Sequence, residues 1–492
     1  MRRRAFLAGL ATLPALHAPA VMAQTQSSLI DSARRLASQP YLAPKNALPP
    51  PFADLTYDAY RGIRPIPGRA AMLPHGPEFA VDLLPPGLYF PDPVRIDRDT
   101  GTGPEEIPLS LDLFDFQDRY FDTLPDTAPG AGFSGLRLRH PLNAADRMDE
   151  VLVVQGASYF RALGRNMIYG LSARAVAIGT GGPTPEEFPR FTHLRLHPAM
   201  GTSVRLEAVI DSPALAGHLD MVLHPGDDTR MDVTVTLMPR RVVPDIGIAP
   251  LTSMYLKGPL RASVSDDFRP RVHDSDLLYV ENGAGEALWR PISNPAQVET
   301  SAFLDDTPQS FGLYQTKRQF EDFEDTEAQY HNRPNAIVRP RGDWGPGAVM
   351  LVEIPTGDEF MDNIVAFWRP EAPLAPGQEY RFDYTLDWTL TAPASVLQSR
   401  SGREHDRPGT RRYVIDVAGA AEGRMAQITA DGAAEVSGVS LFALPGDRGT
   451  RITFLFTPSD QQAVDLRLAV EGGQAPGLVW LHRWTRARDG GV

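Results

Sequence analysis

Three carboxylates stand within one short segment, at Asp358, Glu359 and Asp362. An alternating apolar run at 350–354 and a Pro-Thr-Gly turn precede the segment, and a second apolar run at 364–368 follows it. This pattern predicts a loop between two buried strands. Carboxylates crowded on a short loop repel one another, which raises the pKa of at least one of them. A raised pKa suits a carboxyl group to general acid catalysis near neutral pH, and the alternative is a solvated turn with acidic caps.

A second acidic cluster lies earlier in the chain. Asp266 and Asp267 precede the run 273–276, which reads HDSD and places two carboxylates and an imidazole in four residues. Asx turns are the simpler explanation for such a run. Together with the loop at 358–362, however, the cluster provides the two carboxyl groups that glycoside hydrolysis requires. One protonates the leaving oxygen and the other activates water.

Aromatic side chains stand near both clusters in the sequence, as expected where sugar rings dock by their apolar C–H faces. The candidates for contact with a sugar are Trp289 with its neighbour Arg290, Tyr330 and Trp344. Core packing is the alternative for each tryptophan, and it is favoured for Trp368, which ends a predicted strand. Tyr330 lies in a polar stretch and is therefore the better binding candidate.

Motifs for other chemistries are absent or lack their context. The chain has no G-x-x-x-x-G-K-[ST] loop and no G-x-S-x-G elbow, so nucleotide hydrolysis and serine-hydrolase chemistry have no support. A G-x-G-x-x-G run at 130–135 follows a polar stretch and leads into a predicted strand, which indicates a loop and not a dinucleotide site. His193 and His197 would share a strand face but lie too far apart to bind one zinc ion comfortably. No cofactor and no metal are expected.

The elements that must position these residues are mostly strands. A short helix is predicted at 28–38 and a second helical turn at 55–63. From about residue 80 to 388, alternating apolar segments such as 231–238 are separated by turns, and similar segments such as 450–457 follow later. Many short strands with few helices indicate a sandwich.

The segment 399–412 is polar and rich in arginine, which predicts a linker or an exposed loop. The chain is therefore predicted to be all-β, with a large N-terminal β-sandwich and a small C-terminal immunoglobulin-like β-sandwich. The predicted boundaries are a signal peptide at 1–23, the large sandwich at 24–390, a linker at 391–402 and the small sandwich at 403–492.

The first residues indicate export. Three arginines, a short apolar run and a small-residue cleavage site predict a signal peptide of the twin-arginine type, and an ordinary secretory signal is the alternative. The mature protein is expected in the periplasm or beyond, with no membrane span. The chain has no cysteine, which excludes disulfides and thiolate metal sites. A net charge of −13 argues against nucleic acid as a partner and is compatible with a neutral sugar.

Six ordered blocks of the sequence resemble one family, the periplasmic glucan biosynthesis proteins MdoG/OpgG and MdoD/OpgD. The resemblance runs from about residue 57 to 388 and continues weakly beyond. The twin-arginine start is more similar to the D type. The blocks are VQGASYFRALG (154–164), YGLSARAVAI (169–178), GIAPLTSMY (247–255), DDFRPRVHDSD (266–276), LWRPISNP (288–295) and LVEIPTGDEFMDNIVAFW (351–368).

The resemblance implies a long cleft in the large sandwich and a role in making osmoregulated periplasmic glucans with a β-1,2-linked glucose backbone. It also implies an anomer-inverting endo-β-1,2-glucanase in which Asp362 is the general acid, supported by Glu359. Asp274 would be the general base, acting through a relay of waters and hydroxyls that includes Tyr330. The family usually has threonine where this chain has Phe360, and glycine where it has Leu277.

Two alternatives remain open from the sequence. The first is a transglycosylase, including a cyclising enzyme, which Phe360 would favour by keeping water away from the site. The second is a non-catalytic scaffold that binds β-1,2-glucan and presents it to other periplasmic glucan-synthesis proteins through the small sandwich.

Overall fold

The computed structural model describes residues 28–44, 48–72, 78–260, 266–393, 395–472 and 477–489. The predicted signal peptide lies outside these residues. Within them the helices are α1 (Leu29–Ala37), α2 (Tyr57–Arg61), α3 (Phe320–Phe323) and α4 (Arg486–Asp489), with 3-10 turns at Leu111–Leu113, Tyr330–Asn332 and Pro445–Asp447. No helix in the described parts of the chain is long and apolar enough to span a membrane.

Most of the remaining described chain forms strands, which confirms the all-β prediction. The first strands are β1 (Ile63–Pro65), β2 (Ala71–Met72), β3 (Ala80–Leu84), β4 (Arg95–Asp99), β5 (Pro104–Glu106), β6 (Phe114–Phe116), β7 (Gly135–Ala144), β8 (Arg147–Gln155), β9 (Tyr159–Ala162), β10 (Ser172–Arg174), β11 (Val176–Ile178), β12 (Arg190–Leu196), β13 (Val204–Asp211), β14 (Leu215–His224), β15 (Thr229–Pro239), β16 (Ile246–Ser253), β17 (Tyr255–Lys257) and β18 (Val272–His273). The later strands are β19 (Leu277–Glu281), β20 (Ala287–Pro291), β21 (Glu299–Asp305), β22 (Ser310–Tyr314), β23 (Asn335–Arg341), β24 (Gly347–Glu353), β25 (Ile364–Pro370), β26 (Tyr380–Thr389), β27 (Val396–Arg403), β28 (Arg411–Val417), β29 (Met425–Ala430), β30 (Glu435–Ala443), β31 (Thr450–Thr457), β32 (Ala463–Glu471) and β33 (Leu478–Thr485).

Three larger sheets organise these strands. Sheet I has the order β2-β3-β7-β8-β9-β10-β16-β25-β24-β21, with β11 also paired to β16. Sheet II has the order β29-β32-β33-β20-β19-β22-β23-β26-β15-β14-β13-β12-β4-β5, and sheet III has the order β27-β28-β31-β30. The strands β1 and β6, and β17 and β18, form short ribbons. The neighbouring pairs are antiparallel except for β4 with β12 and β20 with β33.

Sheets I and II enclose the main apolar core, to which alternate side chains of their strands contribute. On β15, Val233, Val235 and Leu237 are fully buried, whereas Thr234 points to the other face and donates a hydrogen bond to Asp383 on β26. Each such apolar side chain stabilises the fold by roughly 1.5–3 kcal/mol when it is buried. The period of two along this segment is the pattern from which the strand was predicted.

Helix α1 packs on the outer face of sheet II and confirms the helix predicted at 28–38. Leu29 and Ala33, one turn apart, are buried against Met238 of β15. Ser28 caps the helix, because its hydroxyl oxygen accepts the N–H of Asp31 at 3.3 Å. A cap of this kind stabilises a helix by about 1 kcal/mol.

The small C-terminal sandwich starts earlier than predicted. Strand β27 begins at Val396 and pairs with β28, so most of the predicted linker at 391–402 belongs to sheet III. The polar side chains that suggested a loop make contacts within this sandwich. Ser399 accepts the indole N–H of Trp480 at 3.1 Å, and Arg400 donates to Asp416 on the neighbouring strand. An edge strand with one solvated face tolerates this composition.

Sheet II continues from the large sandwich into the small one. Strand β33 lies parallel to β20 and aligns Trp480 with Trp289. The core of the small sandwich therefore includes side chains from the large domain, among them Leu277, Tyr279 and Tyr314. Leu277 is fully buried there, so this departure from the family pattern contributes to packing between the sandwiches.

Candidate active site

The acidic loop connects two adjacent strands of sheet I, as predicted. Strands β24 and β25 pair antiparallel, with Glu353 opposite Ile364. Buried Asn363 holds the end of the loop, because its side-chain oxygen accepts the N–H of Tyr255 at 2.8 Å and its amide donates to the Ile354 carbonyl at 2.8 Å. The residue before this anchor is Asp362, so the position of its backbone is fixed by the sheet.

The carboxyl group of Asp362 is partly exposed to solvent. Its side chain keeps 36% of its surface accessible, and Arg161 on β9 approaches it at 3.5 Å. Loss of hydration is the largest influence on the pKa of Asp362 and raises it. The cation of Arg161 opposes this rise, and the negative charge of Asp274 adds to it. The net result is a raised pKa, the property required of a general acid.

Asp274 lies just after β18 and is 3% exposed. Its backbone N–H donates to the carbonyl of Met254 at 2.9 Å, which ties the segment to sheet I. Its carboxylate accepts a hydrogen bond from Arg333 at 2.6 Å. The preceding residue, His273, stacks on Tyr255 with the ring centroids 5.4 Å apart. These contacts fix the direction of the Asp274 carboxylate.

The two predicted carboxylates belong to one electrostatic unit. The charge of Asp274 acts on the pKa of Asp362, and so does the charge of Arg333, which lowers it. Arg333 forms its ion pair with Asp274. The structure thus brings residues that are far apart in the sequence close enough for the charges of Asp274 and Arg333 to act on the carboxyl group of Asp362.

Glu359 is held by a second network on the same loop. One of its carboxylate oxygens accepts the hydroxyl proton of Tyr330 at 2.6 Å and a hydrogen bond from Arg269 at 2.7 Å. Arg269 also donates to Asp325 at 2.8 Å and pairs with Asp267. These contacts connect the acidic loop to Asp267 of the second acidic cluster and to Asp325.

Tyr330 is buried, and its ring lies under the guanidinium of Arg333 at 4.3 Å. Burial, followed by the hydrogen bond to Glu359, raises the pKa of the Tyr330 hydroxyl. Tyr330 therefore joins the two networks, since its ring contacts the partner of Asp274 and its hydroxyl contacts Glu359. Because Tyr330 is only 1% exposed, its interpretation as a sugar-binding residue is wrong, and its hydroxyl instead positions Glu359.

The other predicted binding residues lie away from this group. Trp289 on β20 is fully buried in the core of the small sandwich, and Arg290 is buried with its guanidinium on Glu353 at 2.8 Å. Trp344 packs against Trp368 in the main core and donates its indole N–H to a backbone carbonyl of β26. Because these side chains have almost no accessible surface, the interpretation of Trp289, Arg290 and Trp344 as sugar-binding residues is wrong.

Sequence reasoning missed the arginines of the site. Arg333 stands three residues after Tyr330, and Arg269 stands in the block that contains Asp274, so both were in segments already singled out. Arg174 lies over the ring of Tyr159 at 5.0 Å and acts on the pKa of Asp362. An excess of arginines near clustered carboxylates was the available signal, although their partners could not be assigned without the fold.

A groove of about 1070 Å³ lies between sheet II and the small sandwich, and neither Asp274 nor Asp362 lines it. The run at 130–135 is a loop that leads into β7, as predicted. Within the described residues, the one close group of possible metal ligands is Glu404, His405 and Asp406 in an exposed turn of the small sandwich.

Comparison with known proteins assigns the chain to a family. The sequence model described as "Periplasmic glucan biosynthesis protein, MdoG" matches residues 25–484. "Glucans biosynthesis protein G" of Vibrio cholerae serotype O1 (strain ATCC 39315 / El Tor Inaba N16961) is 41% identical over 471 residues, which cover 93% of this chain and 86% of that protein. The protein of the same name from Shewanella frigidimarina (strain NCIMB 400) is 39% identical over 472 residues, with 93% and 84% covered. Both relatives carry the name of the G type, and the closer similarity to the D type stays a prediction.

Proposed function

The chain belongs to the family of periplasmic glucan biosynthesis proteins, MdoG, and from that premise we propose that it hydrolyses β-1,2-linked glucan with inversion at the anomeric carbon. Its relatives are named for glucan biosynthesis, which supports glucan as the substrate of the proposed reaction. The family name supports the periplasm as the compartment of the proposed reaction.

Asp362 acts as the general acid in the proposed reaction. It transfers its proton to the glycosidic oxygen as the bond from that oxygen to the anomeric carbon breaks. The observation that carries the proposal is the raised pKa of this partly exposed carboxyl group, to which the charge of a second carboxylate, Asp274, contributes. A raised pKa keeps more of the acid protonated at neutral pH, and the exposed part of the side chain lets a polysaccharide reach it.

Asp274 acts as the general base. Water attacks the anomeric carbon on the face opposite the leaving oxygen, and its proton passes to Asp274. Because Asp274 is buried, the proton travels through intervening waters or hydroxyls. Arg333 orients the Asp274 carboxylate through the 2.6 Å hydrogen bond, and solvent exchange then returns Asp274 and Asp362 to their starting protonation states.

Asp362→Asn tests the assignment, and Asp358→Asn is the matched control. Both residues are carboxylates of the same loop, but Asp358 is exposed and its carboxylate accepts the backbone N–H of Phe360 at 2.9 Å. The mature protein is incubated with linear β-1,2-glucan, new reducing ends are counted, and the anomer formed first is identified by NMR. Asp362→Asn should abolish turnover with glucan binding retained, and Asp358→Asn should stay active. Undiminished turnover by Asp362→Asn ends the assignment.

The transglycosylase and the scaffold alternatives predict different results in this assay. Phe360 is 90% exposed in the free protein, so its ring does not keep water away from Asp362, and this supports hydrolysis over transglycosylation. Rearranged or cyclic glucan without new reducing ends would instead identify a transglycosylase. Binding of glucan without any product would identify a scaffold.

A further inference from the structure

Two phenylalanine rings project into solvent beside the acidic loop. Phe360 is 90% exposed and Phe268 is 78% exposed. Each is the chain neighbour of one member of the Arg269–Glu359 ion pair, whose closest atoms are 2.7 Å apart. The ion pair therefore holds the two ring-bearing segments together, and Phe360 lies two residues before Asp362 in the loop.

The backbone under both rings is fixed before any ligand binds. The N–H of Phe360 donates to the Asp358 carboxylate at 2.9 Å. Next to Phe268, the backbone N–H of Arg269 donates to Asp267 at 3.0 Å, and its guanidinium donates to the same carboxylate. Because the backbone is held in this way, only the side-chain rotation of each ring is lost when a ligand covers it, which limits the entropic cost of binding.

The surroundings of the rings match a carbohydrate better than an apolar peptide. Each phenylalanine is flanked in the chain by a charged residue of the Arg269–Glu359 pair, and a sugar presents an apolar C–H face and hydroxyl groups within one unit. We propose that Phe360 and Phe268 form an aromatic platform that binds a glucosyl unit beside the linkage cleaved at Asp362. The platform deepens the proposed function and rests on it, because it assigns a subsite to the same glucan.

Direct binding measurements test the platform. Linear β-1,2-glucan of defined length is titrated calorimetrically into the mature Asp362→Asn protein, in which turnover is blocked. Phe360→Ala and Phe268→Ala, each added to this protein, should weaken binding about three- to tenfold, the effect expected from one aromatic contact. Phe360→Trp should restore binding, because it restores a ring. Phe442→Ala removes a 55% exposed ring from β30 in the small sandwich and should leave the affinity unchanged.

The outcomes separate this inference from the function on which it rests. If the Asp362→Asn protein binds glucan and Phe360→Ala binds it equally well, the platform is refuted and the proposed glucanase stands. The same holds if Phe442→Ala weakens binding as much as Phe360→Ala does. If the Asp362→Asn protein binds no glucan, both proposals fail. Loss of affinity at Phe360 and Phe268, with rescue by tryptophan, supports the platform, since a change in folding would not be reversed by a larger ring.

Discussion

Replacing Arg290 with methionine should lower the free energy of unfolding by about 3 kcal/mol. Arg290 on β20 and Glu353 on β24 form an ion pair with atoms 2.8 Å apart and side chains 3% and 0% exposed. Methionine fills similar space but carries no charge, so Glu353 would remain buried without its cation. Leaving one member of a buried pair in this state costs about 3–5 kcal/mol.

The structure places the cost at the lower end of that range. Glu353 would keep two hydrogen bonds from Ser293, one from the backbone N–H at 2.7 Å and one from the hydroxyl at 3.0 Å. The charge of Arg488 also acts on Glu353 and would offset part of the lost attraction. The double variant Arg290→Met with Glu353→Leu should regain most of the stability, because no charge stays buried.

Arg467 and Glu286 provide a matched comparison. Their closest atoms are also 2.8 Å apart, but the side chains are 46% and 43% exposed. Arg467→Met should therefore cost less than about 1 kcal/mol. Urea unfolding followed by tryptophan fluorescence measures both variants through their midpoints and slopes. The reasoning is refuted if Arg290→Met costs no more than Arg467→Met. Unchanged glucan affinity of folded Arg290→Met would agree with its structural role.

Two further predictions concern the site. Because the proposed reaction needs protonated Asp362 and Arg161 lowers the pKa of this group, Arg161→Met should move the alkaline limb of the kcat/KM profile to higher pH. A profile that stays in place or moves to lower pH would contradict this. Tyr330→Phe removes the 2.6 Å hydrogen bond to Glu359 and should lower kcat about tenfold, as expected for a bond to a charged group, with KM little changed. Assays of reducing ends measure it, and an unchanged kcat would mean that Arg269 alone holds Glu359.

Local patterns predicted much of the fold. The strand predicted at 450–457 coincides with β31, and the loop at 358–362 does connect two paired strands. Residues 452–456 of β31 are all buried, so the apolar and β-branched composition of this strand marked it, whereas alternation marked β15. Local patterns could not predict which residues that are distant in the sequence contact each other. The contacts of Arg333 with Asp274, and of Arg269 with Glu359, depend on how loops of the folded sheets meet, which no local spacing encodes.

Trp289 and Arg290 were wrongly assigned to a sugar-binding site because both faces of their strand are packed. All five residues of β20 are buried, so Trp289 and Arg290 show no alternation, and their polar or aromatic character suggested a binding site. Trp289 packs in the core of the small sandwich, whereas Arg290 turns to Glu353. The polar composition of β27 predicted a linker, but the segment is a strand whose polar side chains form hydrogen bonds with the neighbouring strand.

The parallel pairing of β20 with β33 makes the end of the chain part of the large sandwich. Before β33 has been synthesised, the backbone donors and acceptors on one edge of β20 are unpaired and Trp289 is uncovered. Truncation before Leu478 would therefore destabilise the large sandwich as well as the small one. The two sandwiches must therefore fold together. The small one cannot rotate as a hinged domain without breaking the hydrogen bonds between β20 and β33.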